Sequence, residues 1–217
     1  MANGCAKRID DWVDYSSMDY LLRLLNVRRN EVPRLVLASA VFFLAQVDDG
    51  IVKSVASAVF NVRAGVEKLP LMYTWIAVVF SLSMAFLSWL TSKVARQRLL
   101  LGLMVFVASV LTANALLLLY EHRSAVGLGT EAYSFIFISS ELARTLMNFQ
   151  IWIVAGGICY TSRAKVLFPL LASSAVLGDI AGGFTVQLLS GLFAAHVLYA
   201  LAVGNMVVVL FLLRLLL

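Results

Sequence analysis

The chain has 217 residues, of which 62% are hydrophobic and 13% are charged, with a mean hydropathy of +0.93 and a formal net charge of +5. Soluble domains are about half apolar and a quarter charged, and a chain of this length cannot bury the excess, so the composition excludes a soluble protein and requires lipid to cover the apolar surface. The positive charge does not indicate nucleic-acid binding, because the basic residues flank apolar segments and form no patch with interleaved aromatics.

Residues 1–34 form a polar lead that the sequence predicts to be cytoplasmic. Ser16 and Ser17 can cap a helix there, and apolar residues then recur at i, i+3, i+4 and i+7. These residues are Met18, Leu21, Leu22 and Leu25. The spacing predicts a short amphipathic helix, which lies either at the membrane surface or against the protein's own loops.

Six apolar segments follow the lead, and each is near the roughly 20 residues that a helix needs to cross about 30 Å of hydrocarbon. We predict spans at 35–60, 69–90, 99–119, 133–160, 167–192 and 195–217. The first and fourth are long, which permits tilt or an extension beyond the bilayer. The sequence therefore predicts an all-α membrane protein with one six-helix bundle over 35–217.

The distribution of Lys and Arg predicts how the bundle is oriented, because cytoplasmic loops carry the excess of these residues. The lead carries six, the connection between the second and third spans carries three, and that between the fourth and fifth carries two. These segments share one side and total eleven, against three on the other side: Arg63, Lys68 and Arg123. We therefore expect both the N-terminus and the C-terminus to be cytoplasmic.

Several ionisable side chains fall inside the predicted spans, where each is costly unless it is paired or hydrated. In the first span Asp49 and Lys53 are four residues apart, so they can pair on one helix face. In the fourth span Glu141 and Arg144 are three apart and can do the same. Asp179 has no partner in its own helix. Besides structural pairing, these charges fit a hydrated cavity, a partner subunit of compensating charge, or a proton or cation site.

The polar residues at membrane depth form the candidate substrate or ion path. They are Asp48, Asp49, Lys53, Glu141, Arg144, Gln150 and Asp179. A second feature lies on the fifth span, where Ser174, Gly178 and Gly182 recur every four positions. Small residues at that spacing predict close packing against a neighbouring helix.

Nothing in the sequence indicates an enzyme, a metal centre or a cofactor. The cysteines Cys5 and Cys159 and the histidines His122 and His196 lack the spacing of metal ligands. The sequence signatures of phosphate-binding loops, nucleophile elbows and zinc-protease helices do not occur.

Three short motifs occur along the chain. The first is the turn that opens the second span, with Gly65, Glu67, Leu69 and Pro70. The second is Gln150-Ile-Trp152, followed by Arg163-Ala-Lys165-Val-Leu-Phe-Pro169 and a helix of small residues. The third is the stretch between the second and third spans whose polar positions are Ser88, Ser92, Lys93 and Arg96. Together these motifs resemble the ATP/ADP translocase-like nucleotide transporter family of the major facilitator superfamily.

The resemblance implies one half of such a transporter, namely six transmembrane helices built as a 3+3 inverted repeat, with a substrate site between two halves. It also implies a bacterial inner membrane and a cytoplasmic loop motif that locks helix ends. Some charges of the family are missing, since this chain has Ala56-Ser57 where the family has a basic-acidic pair, Arg163 for a Glu and Ser92 for an Asp.

Two functions follow from these expectations. The first is solute translocation by rocking against a second six-helix bundle, with a nucleotide or another organic anion as substrate. The alternative is a transporter-derived structural or accessory subunit of a larger membrane complex that no longer transports. Besides the lipid bilayer, the expected partner is a second six-helix half, another copy or a foreign membrane subunit, and not nucleic acid.

Overall fold

The computed structural model of the protein describes residues 32–124, 127–158 and 164–216, which contain helices and no strand. The amphipathic helix predicted in the lead and the motif position Arg163 lie outside the described residues. The long helices are α1 (Val32–Arg63), α2 (Leu69–Thr91), α3 (Arg96–Ser124), α4 (Thr130–Ile158), α5 (Ala164–Leu189) and α6 (Ala195–Leu216). A short 3₁₀ turn at Val66–Lys68 connects α1 to α2.

Five of these helices, all except α4, are long and apolar enough to cross a membrane. Integral membrane insertion is therefore compatible with the structure. At 1.5 Å per residue the 29 residues of α4 extend about 43 Å, which is longer than the hydrocarbon core. What distinguishes α4 is its polar content, since Glu141, Arg144, Asn148 and Gln150 lie in its middle part and reduce its hydropathy.

The helix ends follow local sequence signals. Gly65 has φ +91°, a conformation that residues with a side chain rarely adopt. It lies two residues after Arg63, the last residue of α1. Pro70 lies in the first turn of α2, where its missing N–H costs no helical hydrogen bond. The prediction for the fifth span was too long at its C-terminal end: α5 ends at Leu189, and residues 190–192 form a turn.

Helix α1 is the centre of the bundle and packs against α4, α5 and α6. Helix α3 packs on α4 and α6, while α2 contacts mainly α4. The same pairs of helices are in contact when α1, α2 and α3 are exchanged with α4, α5 and α6, although the α1–α5 contact is far more extensive than its α2–α4 counterpart. The α1–α5 pair then becomes α4–α2, the α1–α6 pair becomes α4–α3, and the α1–α4 and α3–α6 pairs map onto themselves. The slight α2–α3 contact has no equally extensive α5–α6 counterpart.

Helices α1 and α5 approach so closely that their backbones touch through glycine. A Cβ atom on Gly178 would collide with the carbonyl oxygen of Phe43, and one on Gly182 would collide with that of Val47. On the other helix, a Cβ atom on Gly50 would lie 2.6 Å from the carbonyl oxygen of Asp179. Ser174, the third small residue of the predicted stripe, is half-buried and donates to Leu171 O at 2.7 Å within α5.

The outward surfaces are apolar. Helix α2 is the least buried of the five apolar helices and exposes large residues along its length, among them Trp75, Phe86 and Trp89. On α5, Val176, Ile180 and Phe184 are likewise exposed. Surfaces of this size and composition are covered either by lipid or by another membrane protein.

Candidate functional site

An ionic network joins α1 to α4 near the middle of the bundle. Arg144 on α4 binds Asp49 on α1 in a bidentate arrangement, with Nε donating to Oδ1 at 3.1 Å and Nη2 donating to Oδ2 at 3.0 Å. Its Nη1 donates to both carboxylate oxygens of Glu141, at 2.7 and 2.8 Å. Four of its N–H contacts are therefore directed at carboxylates, the geometry in which a guanidinium pairs most strongly.

Two amides extend the network along the same interface. Asn148, one turn after Arg144, donates from Nδ2 to Asp49 Oδ1 at 3.0 Å. Its Oδ1 accepts a hydrogen bond from Gln46 Nε2 at 2.6 Å. Gln46 and Asp49 are three residues apart on α1. On α4, Arg144 follows Glu141 by three residues and Asn148 follows Arg144 by four. Residues at these spacings share one helix face, so a single face of each helix supplies all members of the network.

The intrahelical pair predicted between Asp49 and Lys53 does not form, because Asp49 bonds across the interface to Arg144. Lys53 is exposed. The Glu141–Arg144 pair predicted from spacing is present. With two carboxylates and one guanidinium, the network has a formal charge of −1 when all three groups are ionised. Its members retain some access to the surface, with side-chain exposures of 16% for Arg144 and 19% for Glu141.

Asp48 points to a different part of the bundle from its neighbour Asp49. It is completely buried, and its Oδ1 accepts a hydrogen bond from Asn205 Nδ2 of α6 at 2.9 Å. The same Asn205 amide donates to the Leu44 carbonyl oxygen at 2.9 Å. The second carboxylate oxygen, Oδ2, has no hydrogen-bond partner among the described residues.

Asp179 lies on the edge of α5 that meets Gly50. A Cβ atom built on Gly50 would lie 3.1 Å from Asp179 Oδ1, so the carboxylate is level with Gly50. Lys53 is three residues after Gly50 on α1, which is about 4.5 Å along the helix axis, and a lysine side chain is long enough to span that distance. Neither side chain has an ion-pair partner within the described residues. Both residues therefore lie close to the line of contact between α1 and α5, and we call the outer surface along that line the α1/α5 groove.

Gln150 is buried, and its side-chain amide has no hydrogen-bond partner in the described part of the chain. It is not joined to the ionic network. Of the candidate path residues, the fold thus brings together Asp49, Glu141 and Arg144, places Lys53 and Asp179 beside one groove, and separates Asp48 and Gln150 from both.

A second polar cluster was not predicted. Asn114 of α3 donates from Nδ2 to the hydroxyls of Ser139 and Ser140 on α4, each at 3.0 Å. The Ser140 hydroxyl is 2.8 Å from that of Tyr199 on α6, which is completely buried. The available signal was a lone Asn in the third apolar segment, since a buried amide in a membrane helix requires partners on its neighbours.

The predicted loop motif connects α2 to α3. Ser88 and Lys93 are exposed, and the Ser92 hydroxyl donates to Trp89 O at 2.6 Å. Arg96 reaches across the bundle and donates to the carbonyl oxygen of Ile153 near the end of α4. The motif therefore contributes one contact between helices, through its arginine.

Comparison with known protein families, curated protein sequences and solved structures found no match. Within the described residues, no group of three or more potential ligand side chains could hold a metal ion. The function must therefore be inferred from the geometry of the charged residues and from the pairing of the helices.

Proposed function

We propose that this chain is a transporter-like six-helix membrane bundle that moves a solute by rocking against a second bundle. The observation that carries the proposal is the position of the ionic network. It lies between α1 and α4, one of the two contacting pairs whose members exchange with each other when the first three helices are mapped onto the last three. In transporters built from inverted repeats, substrate and coupling sites lie at such interfaces near the middle of the bilayer.

An inverted repeat would explain why the network joins these helices. In a bundle of three plus three spans, α4–α6 would have the opposite orientation in the membrane from α1–α3, and a two-fold axis in the membrane plane would relate the two sets. Such an axis would pass between α1 and α4. On the orientation expected from the Lys and Arg distribution, both termini are cytoplasmic and α4 crosses the bilayer as the fourth span.

The α1/α5 groove supports the same proposal. Lys53 and Asp179 are charged, lie well inside their helices and are not sealed from the surface. Lipid disfavours such groups unless protein or water shelters them. A second bundle placed over this groove would enclose it and form a hydrated path with cationic Lys53 on one wall. An organic anion, such as a nucleotide, is the substrate class that this lysine would attract.

Proteoliposomes provide the test. We expect the reconstituted chain, together with its second bundle where that is a separate protein, to exchange radiolabelled ATP or ADP. Lys53→Gln removes the cation from the groove and should reduce uptake at least tenfold, because an ion pair sheltered from water contributes more than about 1.4 kcal/mol.

The matched control is Lys68→Gln, which removes an exposed lysine in the 3₁₀ turn between α1 and α2. Uptake by this variant should equal that of the wild type. If neither nucleotides nor a panel of other organic anions entered the vesicles, or if both lysine variants behaved alike, the transport proposal would be wrong.

The bonding of Arg144 favours a second candidate, a non-transporting subunit of a larger membrane complex. Its guanidinium is already directed at two carboxylates, so the strongest cation at the α1/α4 interface is occupied by structural partners. A bundle locked in this way can dock a neighbour through its apolar faces without moving. Purification from native membranes in mild detergent separates the candidates, since an accessory subunit co-purifies with unrelated proteins in fixed ratio and a transporter half does not.

A further inference from the structure

A cavity of about 500 Å³ opens at one end of the bundle, where α1 and α3 end and α6 begins. It lies apart from the ionic network and the α1/α5 groove. Its lining includes Arg63 from the last turn of α1, Glu121 and His122 from the last turn of α3, and His196 from the first turn of α6. A site at the ends of membrane-spanning helices lies at the depth of lipid headgroups.

Two imidazoles face each other in this cavity. The ring centroids of His122 and His196 are 4.9 Å apart, with their planes inclined by 38°. No hydrogen bond joins either ring to a described residue, so each retains an N–H donor for a ligand. A metal ion is a poor candidate for this ligand, because no third side chain of the described residues completes a coordinating group.

The charged residues of the cavity leave donors available as well. Arg63 Nη2 is 3.4 Å from Glu121 Oε1, and the same oxygen accepts the Tyr133 hydroxyl at 2.6 Å. The Arg63 side chain is 57% exposed, so most of its guanidinium remains free. One acid, already bonded to two donors, thus stands beside one arginine and two imidazoles. The donors exceed the acceptors, which suits a ligand composed of acceptor oxygens.

The deeper wall of the cavity is apolar. Ala58 and Val59 of α1 and Leu118 of α3 line it below the polar residues. A ligand that fills the whole space therefore has a head rich in acceptor oxygens and an apolar part that extends toward the bilayer. We propose that this cavity binds a phosphate group, supplied by a phospholipid headgroup whose acyl chain follows the apolar wall.

The test is the thermal unfolding midpoint of the purified, delipidated chain in detergent, titrated with phosphatidylglycerol in one arm and inorganic phosphate in the other. We expect phosphatidylglycerol to raise the midpoint. The double variant His122→Leu with His196→Leu should weaken the apparent Kd about tenfold, since both imidazole N–H donors to the anion are lost. Arg98→Gln, which lies outside this cavity, is the matched control and should bind like the wild type.

The outcomes are distinct. A response to phosphatidylglycerol alone supports the lipid as the source, and an equal response to inorganic phosphate supports the phosphate site but overturns the lipid. No response in either arm overturns the proposal, as does an unchanged apparent Kd in the double histidine variant. Native mass spectrometry of lipid that co-purifies with the wild type, compared with the double variant, gives a second readout that does not depend on unfolding.

Discussion

Asp48 and Asp49 are adjacent in the sequence, yet α1 directs them to different neighbours. Asp49 accepts hydrogen bonds from Nε and Nη2 of Arg144 and one from Asn148. Asp48 accepts one bond, from Asn205, and its other oxygen has no described partner. The same substitution at the two positions therefore removes different interactions, and the comparison cancels any general effect of losing a carboxylate from α1.

We expect Asp49→Asn to destabilise the protein by about 2 kcal/mol, because removing one partner of a sheltered ion pair leaves the other short of counter-charge. Glu141 still pairs with Arg144, which holds the loss below the full value for an isolated pair. Asp48→Asn should change stability by less than about 1 kcal/mol, since the oxygen that accepts from Asn205 is kept. Reversible unfolding in detergent micelles measures both.

A larger loss for Asp48→Asn than for Asp49→Asn would contradict this assignment. That result would mean that the second oxygen of Asp48 accepts a hydrogen bond, for example from a water molecule, and that this bond contributes more to the free energy of unfolding than the contact of Asp49 with the Arg144 guanidinium. Arg144→Lys adds a separate check, because lysine keeps the charge and loses the bidentate geometry, so it should fall between wild type and Asp49→Asn.

Sequence spacing predicted one of the two ion pairs expected within a helix correctly and could not predict the ion pair between helices. The Glu141–Arg144 pair follows from a three-residue separation. The Asp49–Arg144 pair joins residues 95 positions apart, and only the packing of α1 on α4 brings them together. Lys53 illustrates the error: its spacing from Asp49 suited a pair, but a better donor on another helix was closer to the carboxylate.

At the scale of the helix, glycine determines how closely α1 and α5 approach. Gly182 and Gly183 are neighbours on α5, and a Cβ atom on Gly182 meets the backbone of α1, while one on Gly183 meets nothing within 4 Å. Backbone cannot move aside as the end of a flexible side chain can. The α1–α5 distance must increase to accept even one methyl group at Gly182.

We therefore expect Gly182→Ala to destabilise the bundle by about 2 kcal/mol, through overpacking against α1. Gly183→Ala should be neutral or stabilise by up to about 1 kcal/mol, because alanine has the higher helix propensity. The measurement is the midpoint of thermal unfolding for the two variants in the same detergent. Equal midpoints would show that the two helices are further apart than this packing requires.

The lengths of the apolar segments predicted the positions of the helices well. The polar residues within each helix determine whether its composition is that of a membrane span. The described helices start and end within a few residues of most predicted bounds. The fourth segment was predicted as a span on length, although Glu141, Arg144 and Asn148 make α4 the only long helix among the described residues that is too polar to be recognised as a span from its composition. These residues are sheltered by α1, so the polar face that lowers the hydropathy of α4 is an interior face.

For the whole molecule, the open question is what covers the α1/α5 groove. Val176 on α5 and Val207 on α6 are suitable positions for a comparison that answers this question, because they are the same residue type and are 60% and 61% exposed. By helical spacing Val176 is three residues before Asp179, on the flank that borders the groove. Val207 faces outward beside α3, among residues with no charged side chain.

A photo-crosslinking amino acid at position 176 should capture protein in native membranes, and the same probe at position 207 should capture lipid. The physical reason is that lipid cannot shelter Lys53 and Asp179 at their depth, whereas a second bundle or its enclosed water can. Gel mobility and mass spectrometry identify the adducts, and the mass of the captured protein distinguishes a second copy from a foreign subunit. Lipid adducts at both positions would place the groove in contact with acyl chains, and the two charges would then have to be satisfied within the chain itself.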